Sequence, residues 1–360
     1  MKILVYGAGA VGGYLSAHLA HNGHDITLIT REVTANFVND SGLRLTEDGK
    51  SFRVKPHAVT SSAQAFGMGS DKAVYDLILL TMKAYDLRTA VDHLAAFCQD
   101  PPAIITFQNG IGVELPLIKQ FGAERVISGA LTVPVRRETN NHVVVEHGDR
   151  GLALAPTQPG HKIGPWVSLF NQAGIETKGL KKYEEMKWSK AFLNIAGNAS
   201  AAILNRSPGA IYKVDALFDL ELRMLQETLD VMKARKLRVV DLPGASASRL
   251  ASGVRRAPRL LLKPILTQIV SKGRGDKVPS FHMDLMAGKG KNEVLYHNGA
   301  IARAGEQVGV PTPVNRTLST VLMRLVRQEV DWREYDGNAK QLLQDVRRMA
   351  QWLKEQQGKQ

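Results

Sequence analysis

Three glycines at residues 7, 9 and 12 and an arginine at residue 31 have types and a spacing suited to holding phosphate groups. In Gly7-Ala8-Gly9-Ala10-Val11-Gly12, Gly7 permits a tight turn, Gly9 lets backbone approach a pyrophosphate, and Gly12 lets a helix pack closely on a strand. A helix starting there offers free N–H groups and partial positive charge to the phosphates. Most NAD sites place an acidic residue at the end of the second strand to hold the ribose hydroxyls. Here Thr30-Arg31 stands at that place, and an arginine suits a 2′-phosphate, so the expected cofactor is NADPH/NADP+.

Other polar clusters lie further along the chain. Lys83, in Thr81-Met-Lys83-Ala, and Asn109, in Gln108-Asn109-Gly110, each follow an apolar run that reads as a strand. The carboxyl ends of strands are where open α/β sheets bind ligands. In Trp188-Ser-Lys190-Ala-Phe-Leu-Asn194-Ile-Ala-Gly-Asn198, three polar residues recur every four positions among apolar neighbours. On one helix they drift about 40° per step and line a face over roughly 12 Å. Such a stripe either pairs internally or faces a wet cleft, because unpartnered polar groups are expensive to bury. The last cluster runs from Ser280 to Asp284 and on through Asn292-Glu293 to Asn298-Gly299. Its histidines, His282 and His297, lack metal-ligand spacing and read as surface residues or as supports behind a site, so no metal is expected.

The elements positioning these groups follow from periodicity. Lys2–Tyr6, Asp25–Thr30, Asp76–Thr81 and Ala103–Phe107 are short apolar runs that read as buried strands, alternating with helical segments at Tyr14–Ala20, Tyr85–Phe97 and from Val113. Arg125–Val135, Val143–Val145 and Leu152–Leu154 are also strand-like. The fold class is therefore α/β: a Rossmann-type, mostly parallel, doubly wound sheet with antiparallel additions late in the domain, followed by an all-helical domain. Strand patterns fade near residue 180, which places the domains at 1–181 and 182–360. The second half reads as helices at Trp188–Ala202, Leu217–Ala234, Pro279–Leu285, Glu293–Gly309 and Val314–Arg327. Residues 241–258 read as a loop or helix connection, and Gly273–Lys277 as a mobile link. Leu342, Leu343, Val346, Met349 and Leu353 mark a terminal helix that caps the helical domain or joins a homodimer interface.

Bulk properties narrow the classes. The 360 residues are 44% hydrophobic, contain one cysteine, and have no apolar run long enough for a membrane span. The single Cys98 excludes an intramolecular disulfide framework and fits a reducing cytosol. It reads as a core or helix-end residue. The chain starts on a strand rather than a secretory signal, so a cytoplasmic location is expected. Of the net charge of +13, residues 231–277 supply +10, with twelve Lys or Arg against Asp241 and Asp276. No aromatic residue interleaves those charges, so a solvated basic face that steers anions is favoured over a nucleic-acid surface.

Taken in order, the glycine loop, Arg31, Lys83-Ala, Asn109-Gly110, Trp188-Ser-Lys190 with Asn194 and Asn198, Ser280 to Asp284, and Glu293 with Asn298-Gly299 resemble the ketopantoate reductase family over Lys2 to about Arg327. The resemblance implies a Rossmann domain followed by a helical domain, with the active site between them. It implies NADPH-dependent reduction of ketopantoate to pantoate, a step toward pantothenate and coenzyme A. Lys190 is then the general acid that protonates the ketone oxygen, and Glu293 contacts substrate and holds the lysine. Asn194, Asn198 and Ser280 bind the substrate carboxylate and hydroxyl, while Lys83 and Asn109 lie at the cofactor–substrate junction. Hydride addition creates an alkoxide, and a lysine in a semi-dry cleft both stabilises that charge and donates a proton.

The sequence departs from the family's pattern at Asn292-Glu293-Val294-Leu295, where Thr-Glu-Ile-Asp is usual, and in its long basic segment and its tail. Those departures point to reductase chemistry more firmly than to one substrate, and another 2-oxo acid stays open. So do a 3-hydroxyacid dehydrogenase and a non-catalytic NADP-binding regulator. The complete Lys190, Asn194, Asn198 and Glu293 set speaks against the regulator, which has no need of it.

Overall fold

A computed structural model of the chain describes residues 1–67, 75–146, 150–274 and 279–357. It divides into two compact units, Met1–Met186 with Asp241–Ala245, and Lys187–Val240 with Ser246–Gln360. The division falls after Met186, within the helix Tyr183–Ile195. The short segment 241–245 belongs with the first unit, where the Thr132 hydroxyl donates to the Pro243 carbonyl at 2.7 Å.

The first unit holds twelve strands: β1 (Lys2–Tyr6), β2 (Asp25–Ile29), β3 (Leu43–Glu47), β4 (Lys50–Val54), β5 (His57–Val59), β6 (Leu77–Leu80), β7 (Ala103–Thr106), β8 (Val126–Leu131), β9 (Val135–Thr139), β10 (His142–Val145), β11 (Leu152–Pro156) and β12 (Thr177–Gly179). Eight of them form one sheet in the order β12-β11-β8-β7-β6-β1-β2-β5. All its pairings are parallel except β8 with β11, the expected antiparallel addition. Its central strands are apolar on both faces because helices cover both: β6 reads Leu-Ile-Leu-Leu and is wholly buried. Ile3, Val5, Leu28, Leu79, Ile105 and Ile127 share one core with Tyr14, Leu15 and Leu19 of the helix Ala10–His21.

A second, four-stranded sheet, β4-β3-β10-β9, packs against that helix and was not expected as a unit. Contact is close enough that a Cβ on Gly13 would lie 2.6 Å from Val143 Cγ2. Its one parallel pairing, β3 with β10, sets Leu45 opposite Val143 across a long sequence separation.

The second unit is helical. Its longest helix, Asp215–Ala234, buries Leu217, Phe218, Met224, Leu225 and Met232 along one side. Helices at Ser280–Met286, Pro313–Val326 and Ala339–Gln357 agree with the expected elements, the last with Leu342 and Val346 buried against Pro313–Val326, while Asn298–Gln307 is only the later part of the expected helix Glu293–Gly309. Two expectations need correction. Residues 241–258 are not simply a connection: Ala247–Arg256 is a helix, whose Ala247, Ala251 and Val254 are buried at helical spacing before Pro258 ends it. The expected helix Trp188–Ala202 is two helices, Tyr183–Ile195 and Ala199–Leu204. Gly197 breaks it in the left-handed region at φ +61°. The break is held by buried Glu221, whose carboxylate accepts from the Gly197 N–H at 2.6 Å, the Ser200 hydroxyl at 2.5 Å and the Tyr212 hydroxyl at 3.1 Å. The mobile-link reading of Gly273–Lys277 falls largely on residues 275–277, outside the described residues, and Gly273-Arg274 end the helix Arg259–Arg274.

Candidate active site

Two groups of candidate residues take shape, one in each unit. In the first unit, β2, β1, β6 and β7 lie side by side and parallel, so their carboxyl ends share one edge. Arg31 follows β2, the glycine loop follows β1, Lys83 follows β6 and Asn109 follows β7. The sheet order turns about β1, the arrangement in which open α/β sheets place a ligand crevice.

The glycine loop meets the structural demands of a dinucleotide cradle. Gly7 has φ +112°, and a Cβ there would lie 2.8 Å from the Met82 nitrogen. A Cβ on Gly12 would overlap the Gly7 carbonyl oxygen. Gly9 is different, since a Cβ there would meet nothing within 4 Å. That position keeps open space in front of the helix Ala10–His21, whose N-cap is Gly9 and whose first turn has no side-chain cap. Uncapped N–H groups facing open space suit an anion such as pyrophosphate. Thr81 pins the turn from the next strand, its hydroxyl donating to the Gly7 carbonyl at 2.6 Å. Gln108 ties β6 to β7: its side-chain nitrogen contacts Met82 Sδ at 3.2 Å, and its oxygen accepts from the Thr106 hydroxyl. Sequence reading missed Thr81 and Gln108 as supports, although both flank residues it did select.

Arg31 is exposed and forms the N-cap of the helix Glu32–Ser41. Lys83 is half-buried at the start of a 3-10 turn, Ala84–Asp86. Asn109 is half-buried ahead of a turn that needs left-handed backbone at Gly110.

In the second unit the catalytic candidates are buried. Lys190 is 9% exposed and Glu293 3% exposed. Burial, reinforced by the like charge of Lys187, pulls the Lys190 ammonium down from 10.5 to about 7, while Glu293 opposes the shift. Lys187, one turn earlier on the helix Tyr183–Ile195, is 2% exposed and was not singled out from the sequence. Glu293 opens a 3-10 turn, Glu293–Tyr296, rather than the expected helix Glu293–Gly309, which begins at Asn298. Asn292 caps that turn by accepting from the Val294 N–H at 2.9 Å and reaches back to the Phe281 carbonyl at 2.8 Å.

Asn198 leaves the helix that carries Lys190 and Asn194 and becomes the N-cap residue of Ala199–Leu204, so the three do not share one helical stripe. Only 5% exposed, its side chain donates to the Ser280 hydroxyl and to the Asn194 carbonyl, each at 3.4 Å, and accepts from the Phe281 N–H at 3.3 Å. Thus Asn194, Asn198 and Ser280 come together despite the break. Asn298 is structural: it donates to Asn315 at 3.0 Å, and Asn315 donates to Glu227 at 2.8 Å. His297 is not a surface residue: it is buried and tilts against Phe281, while His282 packs edge-on to Trp332. No cluster of metal-ligating side chains occurs among the described residues, nor any helix long and apolar enough to cross a membrane.

Comparison with known proteins adds to this geometry. Residues 3–157 match the family model described as "Ketopantoate reductase PanE/ApbA", and residues 182–326 match the model of its C-terminal part. The 2-dehydropantoate 2-reductase of Pyrococcus horikoshii is 28% identical over 321 residues, spanning 88% of this chain and 94% of that protein. That of Archaeoglobus fulgidus is 26% identical over 320 residues, spanning 88% and 95%. Among solved structures, a PanE/ApbA family ketopantoate reductase from Ralstonia eutropha is 25% identical with a TM-score of 0.75, covering 91% of this chain and 99% of its own. A D-mandelate dehydrogenase in ternary complex with NADH and anilino(oxo)acetate shares the fold, at 21% identity and a TM-score of 0.72, over 91% and 99%.

Proposed function

The chain belongs to the ketopantoate reductase family, and on that premise we propose that it reduces 2-dehydropantoate to pantoate with NADPH, Lys190 serving as general acid. Pantoate so formed leads toward pantothenate and coenzyme A. The observation that carries the reading is a buried lysine beside a buried carboxylate, with its proton affinity lowered to about 7. A group that titrates near the working pH can both hold a proton and surrender it during a reaction.

The residues present fit a dinucleotide. The loop Gly7, Ala8, Gly9, Ala10, Val11 and Gly12 would hold the pyrophosphate at the N-terminus of Ala10–His21, with Lys83 and Asn109 on the same sheet edge. A bound reduced nicotinamide supplies the hydride. Lys190 then donates its ammonium proton to the ketone oxygen as negative charge grows there. Glu293 favours the charged form of Lys190, against the larger lowering by burial and Lys187. Asn194, Asn198 and Ser280 present amide and hydroxyl groups to the substrate carboxylate and hydroxyl, a role that the contact of Asn198 with Ser280 supports.

The NADPH preference rests on Arg31, which stands where an acidic residue would bind ribose hydroxyls. Arg31→Ala should raise KM for NADPH by about tenfold and leave KM for NADH unchanged, since one charge-assisted contact contributes about 1.5–3 kcal/mol. Equal losses with both cofactors would refute the 2′-phosphate role.

The lowered proton affinity also fixes a pH dependence. Below about pH 7 Lys190 carries its proton, so kcat for reduction should be level there. Above it the acid form is lost, and kcat should fall about tenfold per pH unit. The reverse oxidation needs neutral lysine and should rise over the same range. Because Glu293 raises the proton affinity, Glu293→Gln should move the falling limb to lower pH.

Initial rates of NADPH loss with ketopantoate and a panel of other branched and aryl 2-oxo acids test the assignment. Turnover favouring ketopantoate is expected, and no turnover with any branched 2-oxo acid would sink the reading.

A further inference from the structure

The helix Tyr183–Ile195 carries two buried lysines, and the proposed reaction uses only one of them. Lys187 and Lys190 are three residues apart, so their side chains emerge from neighbouring positions on one helical face. Both lie where water is scarce, at 2% and 9% exposure. A lysine can usually carry its ammonium group out to solvent on its flexible stem, yet Lys187 is the more deeply buried of the two. Within a protein interior, charges about one helical turn apart interact several-fold more strongly than in water. A second ammonium at this position therefore makes it harder for Lys190 to keep its proton. The charged groups bearing on Lys190 are Lys187 on its own helix and Glu293 on the facing 3-10 turn, and they act in opposite senses. Asn198 and Ser280, on the other elements of this cluster, carry no charge.

We propose that Lys187 is a positioning residue for charge: it sets the pH range over which Lys190 holds its proton, and so tunes when the proton donor is willing to give that proton up. The inference rests on the reading of Lys190 as general acid. Without Lys187, burial would still lower Lys190 and Glu293 would still oppose it, so Lys190 would keep its proton to a higher pH and release it more slowly at physiological pH. With Lys187 present, the donor sits near the working pH, where general acids are most effective.

The test is the pH profile of kcat for ketone reduction in Lys187→Met, Lys187→Gln and Lys187→Arg, each checked for native circular dichroism. Methionine preserves bulk without charge, glutamine keeps polarity without charge, and arginine keeps charge. In the Met and Gln variants the falling limb should move up by about one pH unit, so the ratio of kcat at pH 9 to that at pH 7 rises about fivefold. The Arg variant should keep the wild-type limb. A purely structural role for Lys187 would scale kcat at every pH and leave the limb in place. An unmoved limb in either neutral variant that folds, or a limb in the Arg variant that moves with them, would overturn the inference. Lys190→Ala, run alongside, separates this from failure of the underlying reading. If it retains wild-type kcat and pH profile, the general-acid reading itself fails. If it is inactive while the Lys187 limb is unmoved, only the present inference fails.

Discussion

Lys190→Ala is expected to lower kcat for 2-oxo acid reduction by about 10²–10⁴-fold, the range for loss of a positioned general acid, with NADPH affinity unchanged. The two effects separate because the lysine belongs to the helical unit and the glycine loop to the sheet unit. Stopped-flow rates and a fluorescence titration with NADPH check both halves. Unfolding is not expected to confuse the result, because a buried ammonium is itself expensive to keep. Lys190→Met should therefore equal or exceed the wild type in thermal stability at pH 7. The sign follows from linkage. Native Lys190 titrates near 7 against an ordinary value of 10.5, so between those values the unfolded chain binds more protons and wild-type stability rises with pH. That rise should be missing in Lys190→Met. An unchanged kcat in Lys190→Ala would remove Lys190 as the acid.

The second large effect concerns Gly12, with Gly9 as its control. A Cβ at Gly12 would overlap the Gly7 carbonyl oxygen and lie 2.5 Å from Thr81 Oγ1. Thr81 holds that same carbonyl through a 2.6 Å hydrogen bond, so the clash pushes apart the turn and the neighbouring strand end together. Gly12→Ala should thus lower unfolding free energy by about 2–3 kcal/mol, as overpacking does. It should also weaken NADPH binding by about a hundredfold, as about 3 kcal/mol implies. Gly9→Ala meets no protein atom within 4 Å and should leave stability unchanged while still weakening NADPH, because its methyl group would enter the space proposed for the pyrophosphate. Chemical denaturation and NADPH titration of both variants check this. Equal stability losses, or full NADPH affinity in Gly9→Ala, would count against the loop as the pyrophosphate site.

The first strand, its turn and the following helix were legible in the sequence because local signals agree there: a short apolar run, glycines at fixed offsets, then helical periodicity. The strand ends carrying Lys83 and Asn109 were legible for the same reason, since β6 and β7 are apolar throughout. The four-stranded sheet was not. β9 reads Val-Arg-Arg-Glu-Thr and is mostly exposed, β3 and β4 alternate with charged residues, and the β3–β10 pairing joins residues far apart in sequence. The helix break at Gly197 escaped for a similar reason. Apolar periodicity runs straight through it, and the carboxylate that holds it, Glu221, comes from another helix. The proposed site residues Lys190, Asn194, Asn198, Ser280 and Glu293 could be selected from the sequence by residue type alone. Their burial could not be read that way, nor the presence of Lys187 as a second buried cation, because both depend on how the helices pack.

The central claim, NADPH-dependent reduction of 2-dehydropantoate, is tested most directly by following the hydride. Ketopantoate is incubated with the protein and NADPH dideuterated at the nicotinamide C4 position, and the product is analysed by mass spectrometry. The account predicts pantoate carrying one deuterium on its carbinol carbon, formed by the wild type and reduced in yield by Lys190→Ala in step with kcat. Unconsumed NADPH, or pantoate without deuterium, would contradict it.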